Sequence, residues 1–107
     1  MKRLARRVSL GIGIVGGRGE NSSGDLFIAF STANAEVSTT AGTAQLLMLP
    51  NEGINPLFRE TVNATEEAII NSLVAARTMT GINGNTAYAI PHDRLRVVMS
   101  KYQRLVK

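Results

Sequence analysis

The chain has 107 residues, 12 Lys plus Arg against 8 Asp plus Glu, and a formal charge of +4. With 44% hydrophobic and 19% charged residues it has the composition of a folded chain, and its length accommodates one domain at most. No Cys and a single His exclude disulfide scaffolds, thiolate metal sites, cysteine nucleophiles and multi-histidine zinc sites. No apolar run approaches the ~18 residues that read as a membrane span.

The positive excess is local. Lys2, Arg3, Arg6 and Arg7 fall on one side of a helix at about 100° per residue, with Leu4, Ala5, Val8, Ile12 and Val15 on the other. The segment reads as an amphipathic helix with a basic, solvated face. Such a cluster can hold nucleic acid, but no aromatic side chain lies nearby to stack on bases, so no nucleic-acid partner is expected. Gly11 and Gly13 interrupt the apolar part, and no small-x-small cleavage site follows cleanly, so a signal peptide is not expected either. The expected location is cytoplasmic, with no membrane partner. The helix starts at Met1 with no N-cap residue before it.

Residues 16–24, rich in Gly, Ser and Asn, form a loop that ends this helix. Asp25 to Ser31 reads as a strand. Its five consecutive apolar residues, Leu26 to Phe30, suit a central strand covered on both faces. Thr32 to Thr43 is a long connection, and Ala44 to Leu49 is a second strand stopped by Pro50. Asn55-Pro56 opens a helix whose stripe of Phe58, Val62, Ile69, Leu73 and Ala76 is widened by Ile70 and Val74. With Gly81 as its stop, that helix would run about 25 residues and about 37 Å, with a break near Asn63 to Thr65 where Asn63 and Glu66 resemble a capping box. Asn83-Gly84 marks a turn, Thr86 to Ile90 a short strand, and Pro91 the start of a last helix lined by Leu95, Val98, Met99, Tyr102 and Leu105. The expected class is α+β, with helices packed on a mixed sheet.

Three motifs bear on chemistry. Gly11, Gly13 and Gly16 match G-x-G-x-x-G, but a dinucleotide site needs that motif after a strand and opening a helix. Here it closes a helix, and its small residues are expected to let that helix pack tightly on a neighbour. His92 has no nucleophile beside it in sequence and reads as a structural residue at a helix start. Ser23 and Asp25 stand two apart at the entry to the first strand. Period-two geometry puts both side chains on one face, where a hydroxyl and a carboxylate can orient an amine or another hydroxyl. An ordinary strand-entry turn uses the same residue types.

Four separated blocks in order carry a resemblance over nearly the whole chain. They are KRLARRVSLGIGIVG (Lys2 to Gly16), SSGDLFIAFSTAN (Ser22 to Asn34), ATEEAIINSLVAARTMTG (Ala64 to Gly81) and AIPHDRL (Ala89 to Leu95). Together they resemble the C-terminal region of the L-aminopeptidase D-amidase/D-esterase and β-peptidyl aminopeptidase family. The match is weakest over Glu36 to Asn51.

The resemblance implies a four-layer αββα sandwich of the N-terminal-nucleophile type, of which residues 1–107 would be one incomplete domain. It implies a precursor that cuts itself into α and β subunits. The β subunit begins with a nucleophilic Ser whose own α-amine serves as the base. The implied reaction releases an N-terminal residue from a peptide, amide or ester through an acyl-enzyme, with no metal or organic cofactor. Ser23 and Asp25 match the Ser and acidic residue that support the nucleophile in the family; the PHD block (Pro91 to Asp93) matches without an implied role.

The family's nucleophilic Ser and the strand that follows it, before the KRLARR-like helix, have no counterpart here, and neither has the α subunit with the Asn that helps form the oxyanion hole. The expectation is therefore a β-subunit portion, inactive alone, that needs an α subunit and the remainder of the β subunit and forms homo-oligomers. A non-catalytic association module that kept the fold is the alternative. Ornithine acetyltransferase-like activity is disfavoured, because its nucleophile is a Thr and the ATEEAI and PHDRL blocks do not favour it.

Overall fold

The computed structural model describes residues 1–35, 37 and 41–106. The elements are α1 (Lys2–Ile14), a 3-10 turn at Asn51–Gly53, α2 (Asn55–Ala75), β1 (Met79–Thr80), a 3-10 turn at Ile82–Gly84, β2 (Thr86–Ala87) and α3 (His92–Lys101). Residues 36 and 38–40 of the expected connection lie outside the described residues. The chain divides into two compact units, Met1–Glu67 and Ala68–Lys107. The class is α+β.

In the first unit, α1 forms where the 3.6-residue periodicity places it. Leu4, Ala5, Val8, Ile12 and Val15, the expected inner stripe, are half-buried. Gly11, on the same stripe, is the one buried residue of the helix. It sits where α1 crosses α2. A Cβ at Gly11 would stand 2.6 Å from Thr65 Cβ and 2.8 Å from the Val62 carbonyl oxygen. Thr65 suits that crossing because its hydroxyl donates to the Thr61 carbonyl at 2.7 Å. With the polar atom satisfied on its own helix, the methyl side is free to meet the glycine.

The basic face of α1 is only partly solvated, which revises the sequence reading. The guanidinium carbons of Arg3 and Arg7 stand 4.9 and 3.7 Å from the Phe58 ring centroid. Arg3 also donates to Asn51 Oδ1 at 2.7 Å. Two of the four cations are thus spent on α2 and the turn before it.

Met1 caps α1 through its backbone only, its carbonyl accepting from the amides of Leu4 and Ala5. The other end closes in a Schellman arrangement. Gly16, at φ +97°, donates to Gly13 O, and Gly17 donates to Ile12 O at 2.9 Å. A Cβ at Gly17 would fall 2.3 Å from Ile12 Cγ2, so glycine is the residue that lets the loop fold back on the helix.

The two expected strands of this unit are not in a ladder. Asp25 to Ser31 and Ala44 to Leu49 have no strand pairing among the described residues. Exposure along the first alternates with period two. Leu26, Ile28 and Phe30 are 98, 92 and 80% exposed, while Phe27 and Ala29 are half-buried. A strand needs a neighbour for its backbone groups, and no strand pairs with this segment among the described residues. What ties the segments together is Asn34. Its Oδ1 accepts from the Leu47 amide at 2.9 Å and its Nδ2 donates to the Leu47 carbonyl at 3.2 Å, so one side chain replaces a ladder rung.

In the second unit, the expected hairpin turn is present. Asn83 and Gly84 both take positive φ, 59° and 75°, with Asn85 donating to Ile82 O. These are the angles of a type I′ turn, whose twist suits a hairpin. The turn joins β1 to β2 in antiparallel register, Met79 opposite Ala87 and Thr80 opposite Thr86. The hairpin shortens two expected elements. The long helix ends at Ala75 rather than near Gly81, because Met79 and Thr80 are taken into β1, and β2 stops at Ala87. The expected break near Asn63 to Thr65 is absent, since α2 runs unbroken through it. The last helix ends at Lys101, before Tyr102 and Leu105. Gln103, at φ +55°, ends it with a second Schellman pair: Gln103 donates to Ser100 O and Arg104 to Met99 O. Among the described residues no hydrophobic side chain is fully buried.

Candidate active site

The chemistry-bearing residues of the first unit collect where the Schellman turn redirects the chain. After Gly17 folds back over Ile12, residues 18–25 run beside the end of α1. A tight turn, with the Ser23 amide donating to Glu20 O at 2.8 Å, brings Ser23 and Asp25 round to the same side as Arg18 and Glu20. These four residues line one cleft of about 530 Å³ together with Ile12 and the glycines of the turn. That volume lies in the range of small-ligand sites, about 300–1,000 Å³.

Ser23 and Asp25, singled out from their two-residue spacing, therefore share a cleft. Both are exposed. A Cβ at Gly24 would meet nothing within 4 Å, so the backbone between them is open to an approaching group. Ser23 offers one hydroxyl donor and two acceptor sites, and ionised Asp25 accepts only. The pair can thus hold a hydroxyl and an ammonium side by side. Arg18 and Glu20 were not singled out from sequence. They read as polar residues of a glycine-rich loop, and the structure places them on the cleft that Ser23 and Asp25 line.

The remaining candidates take structural places. His92 Nε2 lies 3.0 Å from the Val74 carbonyl oxygen, so the imidazole ties the start of α3 to the end of α2. Gly11 packs against Thr65 and Gly16 provides a helix stop, which leaves no phosphate cradle in the G-x-G-x-x-G run. No group of His, Cys, Asp and Glu able to hold a metal occurs among the described residues. No helix among them is long and apolar enough to cross a membrane.

The chain as a whole is similar in sequence and fold to known serine aminopeptidases. Over 98% of this chain and 30% of its own length, the structure of L-aminopeptidase D-Ala-esterase/amidase from Ochrobactrum anthropi superposes with a TM-score of 0.86 at 42% identity. It is described as a prototype of the serine aminopeptidases and a variant of the Ntn hydrolase fold. The beta-peptidyl aminopeptidase BapA of Sphingosinicella microcystinivorans is 48% identical over 106 residues, 98% of this chain. BapA of Sphingosinicella xenopeptidilytica is 42% identical over 109 residues, 97% of this chain. The family model of peptidase family S58 matches residues 1–87. The chain belongs to peptidase family S58. It spans 27% of the length of each BapA relative.

Proposed function

We propose that this chain is the C-terminal portion of the β subunit of a serine aminopeptidase, in which Ser23 and Asp25 support a nucleophilic Ser carried elsewhere in the assembled protein. The shared cleft of Ser23 and Asp25 carries the reading. Membership of a peptidase family and the aminopeptidase names of the relatives support it.

In the proposed reaction the nucleophilic hydroxyl adds to the carbonyl of the substrate's first residue while the nucleophile's own α-amine takes the proton. The tetrahedral intermediate collapses to an acyl-enzyme, and the departing amine leaves with that proton. Water then attacks the ester, the α-amine again accepting the proton, and the α-ammonium returns it to the Ser oxygen as the acyl C–O bond breaks and the carboxylic acid leaves. Asp25 stabilises the α-ammonium that forms in each half, and Ser23 orients the nucleophile by hydrogen bonding. In this reading the attacking hydroxyl comes from outside these 107 residues, and Ser23 and Asp25, as orienting groups, do not replace it.

The same reading accounts for the exposed apolar segments. Leu26, Ile28 and Phe30, with Leu46 to Leu49, present unpaired strand sequence to solvent. In the proposed assembly these segments are central strands of a four-layer sandwich, covered by the rest of the β subunit and the α subunit, with further copies completing an oligomer. Exposure on this scale also favours a second reading, an association module without chemistry. Assaying release of p-nitroaniline from amino-acid p-nitroanilides separates them. The precursor that contains this chain is expected to cut itself and turn over, and the isolated chain to do neither. A precursor that neither processes nor turns over supports the association module.

A further inference from the structure

Asn83 is the one Asn of the chain that is followed by Gly. Both residues are exposed, in the turn of the β1–β2 hairpin. An asparagine in this setting carries its own reaction partner. The backbone nitrogen of the next residue can attack the side-chain amide carbon, Cγ, and glycine has no Cβ to obstruct the approach. The ring so formed contains Gly84 N and the C, Cα, Cβ and Cγ atoms of Asn83. It closes only when Cβ and Gly84 N stand nearly eclipsed about the Cα–C bond.

The folded turn forbids that geometry. Asn83 takes φ 59° and ψ 23°. At this ψ the Gly84 nitrogen nearly eclipses the Asn83 backbone nitrogen, and Cβ, a different tetrahedral substituent, stands well to one side. Hydrogen bonds hold the angles in place. Gly81 donates to Asn85 O at 2.8 Å, and Asn85 donates to Ile82 O at 3.3 Å. One residue further along each strand, the Thr80 and Thr86 hydroxyls share a bond of 3.0 Å. Reaching the reactive ψ means leaving the type I′ turn that these bonds close.

We propose that Asn83 is a self-modification site gated by its own hairpin, intact while the turn is closed and deamidated once the turn opens. In the open hairpin the Gly84 nitrogen bonds to Cγ and gives up its proton. The side-chain nitrogen leaves with that proton as ammonia, and a succinimide remains. Water then breaks the bond from either ring carbonyl to the nitrogen, giving aspartate or isoaspartate at position 83. The isoaspartyl form routes the backbone through Cβ and inserts a carbon into a turn whose two central residues must both hold positive φ. That product does not close the turn again, so an opening that reacts leaves a permanent record.

The test incubates the full-length protein that contains this chain at mildly alkaline pH and follows Asn83 by peptide mass mapping. It is run on the folded protein and in guanidinium chloride. Deamidation at Asn83 is expected to be at least about tenfold slower in the folded protein, because only locally opened molecules react. Gly81→Pro removes the donor to Asn85 O and raises the folded-state rate. Thr86→Val removes only the hydroxyl bond and raises it less. Melting temperatures of both variants separate local opening from general loss of fold, and Thr86→Val carries the comparison where Gly81→Pro does not fold. In the isoaspartyl product, exchange of the Gly81 amide hydrogen is expected to be faster than in the unmodified protein. A smaller difference between folded and unfolded rates, or a folded-state rate unmoved by the variants, overturns the gate. An Asn83 that stays intact in the unfolded chain overturns the site.

Discussion

Arg7 of α1 lies over the ring of Phe58 of α2, its guanidinium carbon 3.7 Å from the ring centroid. Together with the Gly11–Thr65 approach one turn further along α1, it fixes how the two helices of the first unit meet. The stack replaces a solvated cation by one that also packs, through its long apolar stem. Replacing Phe58 by Leu keeps the apolar volume but removes the ring face. That substitution is expected to cost about 0.5–1 kcal/mol, and Arg7→Ala a similar amount. In a double-mutant cycle by thermal melting the two losses should not add.

Gly11 is expected to be the least tolerant position of α1. In Gly11→Ala the new methyl meets the Thr65 Cβ and the Val62 carbonyl at distances no real Cβ shows. The helices must part, at a cost of about 1–3 kcal/mol. Alanine's better helix propensity offsets at most about 1 kcal/mol of that. Gly13, where a Cβ would meet nothing within 4 Å, is the internal comparison. Gly13→Ala should be neutral or stabilising in the same melting experiment.

Asn34 holds Leu47 by both backbone groups, so its variants should be read at Leu47. In Asn34→Ala, amide hydrogen exchange at Leu47 should rise about tenfold, the equivalent of about 1.4 kcal/mol for the lost bonds. In Asn34→Asp the Leu47 amide keeps its acceptor, and exchange there should rise less than in the alanine variant.

These contacts also show where the sequence was legible. The stripe of Leu4, Ala5, Val8, Ile12 and Val15 was, because helical periodicity is local and the half-buried residues of α1 follow it. Asn83-Gly84 was, because few residue pairs accept two successive positive φ values. Met79 and Thr80 were not. They continue a helical sequence, and the hairpin across the Asn83-Gly84 turn takes them instead. Asp25 to Ser31 carries strand composition without a ladder, since pairing depends on a neighbour that no local pattern supplies.

The site divides the same way. The two-residue spacing of Ser23 and Asp25 singled the pair out, and both line one cleft, though not through the strand ladder that spacing assumed. Arg18 and Glu20 were invisible, because a glycine-rich loop gives no period from which to read direction. They line the cleft just after the helix-closing backbone bonds of Gly16 and Gly17.

The central claim is that Ser23 and Asp25 support the chemical step of a serine aminopeptidase. Its most direct measurement is steady-state kinetics of the assembled protein on an amino-acid p-nitroanilide, with Ser23→Ala, Asp25→Ala and the double variant, each checked for self-processing and melting temperature. The account predicts a fall in kcat of about 10²–10⁴-fold in each single variant, KM within a few-fold, and a double variant little worse than the worse single one. Processed, stably folded variants that turn over at the unsubstituted rate would contradict it.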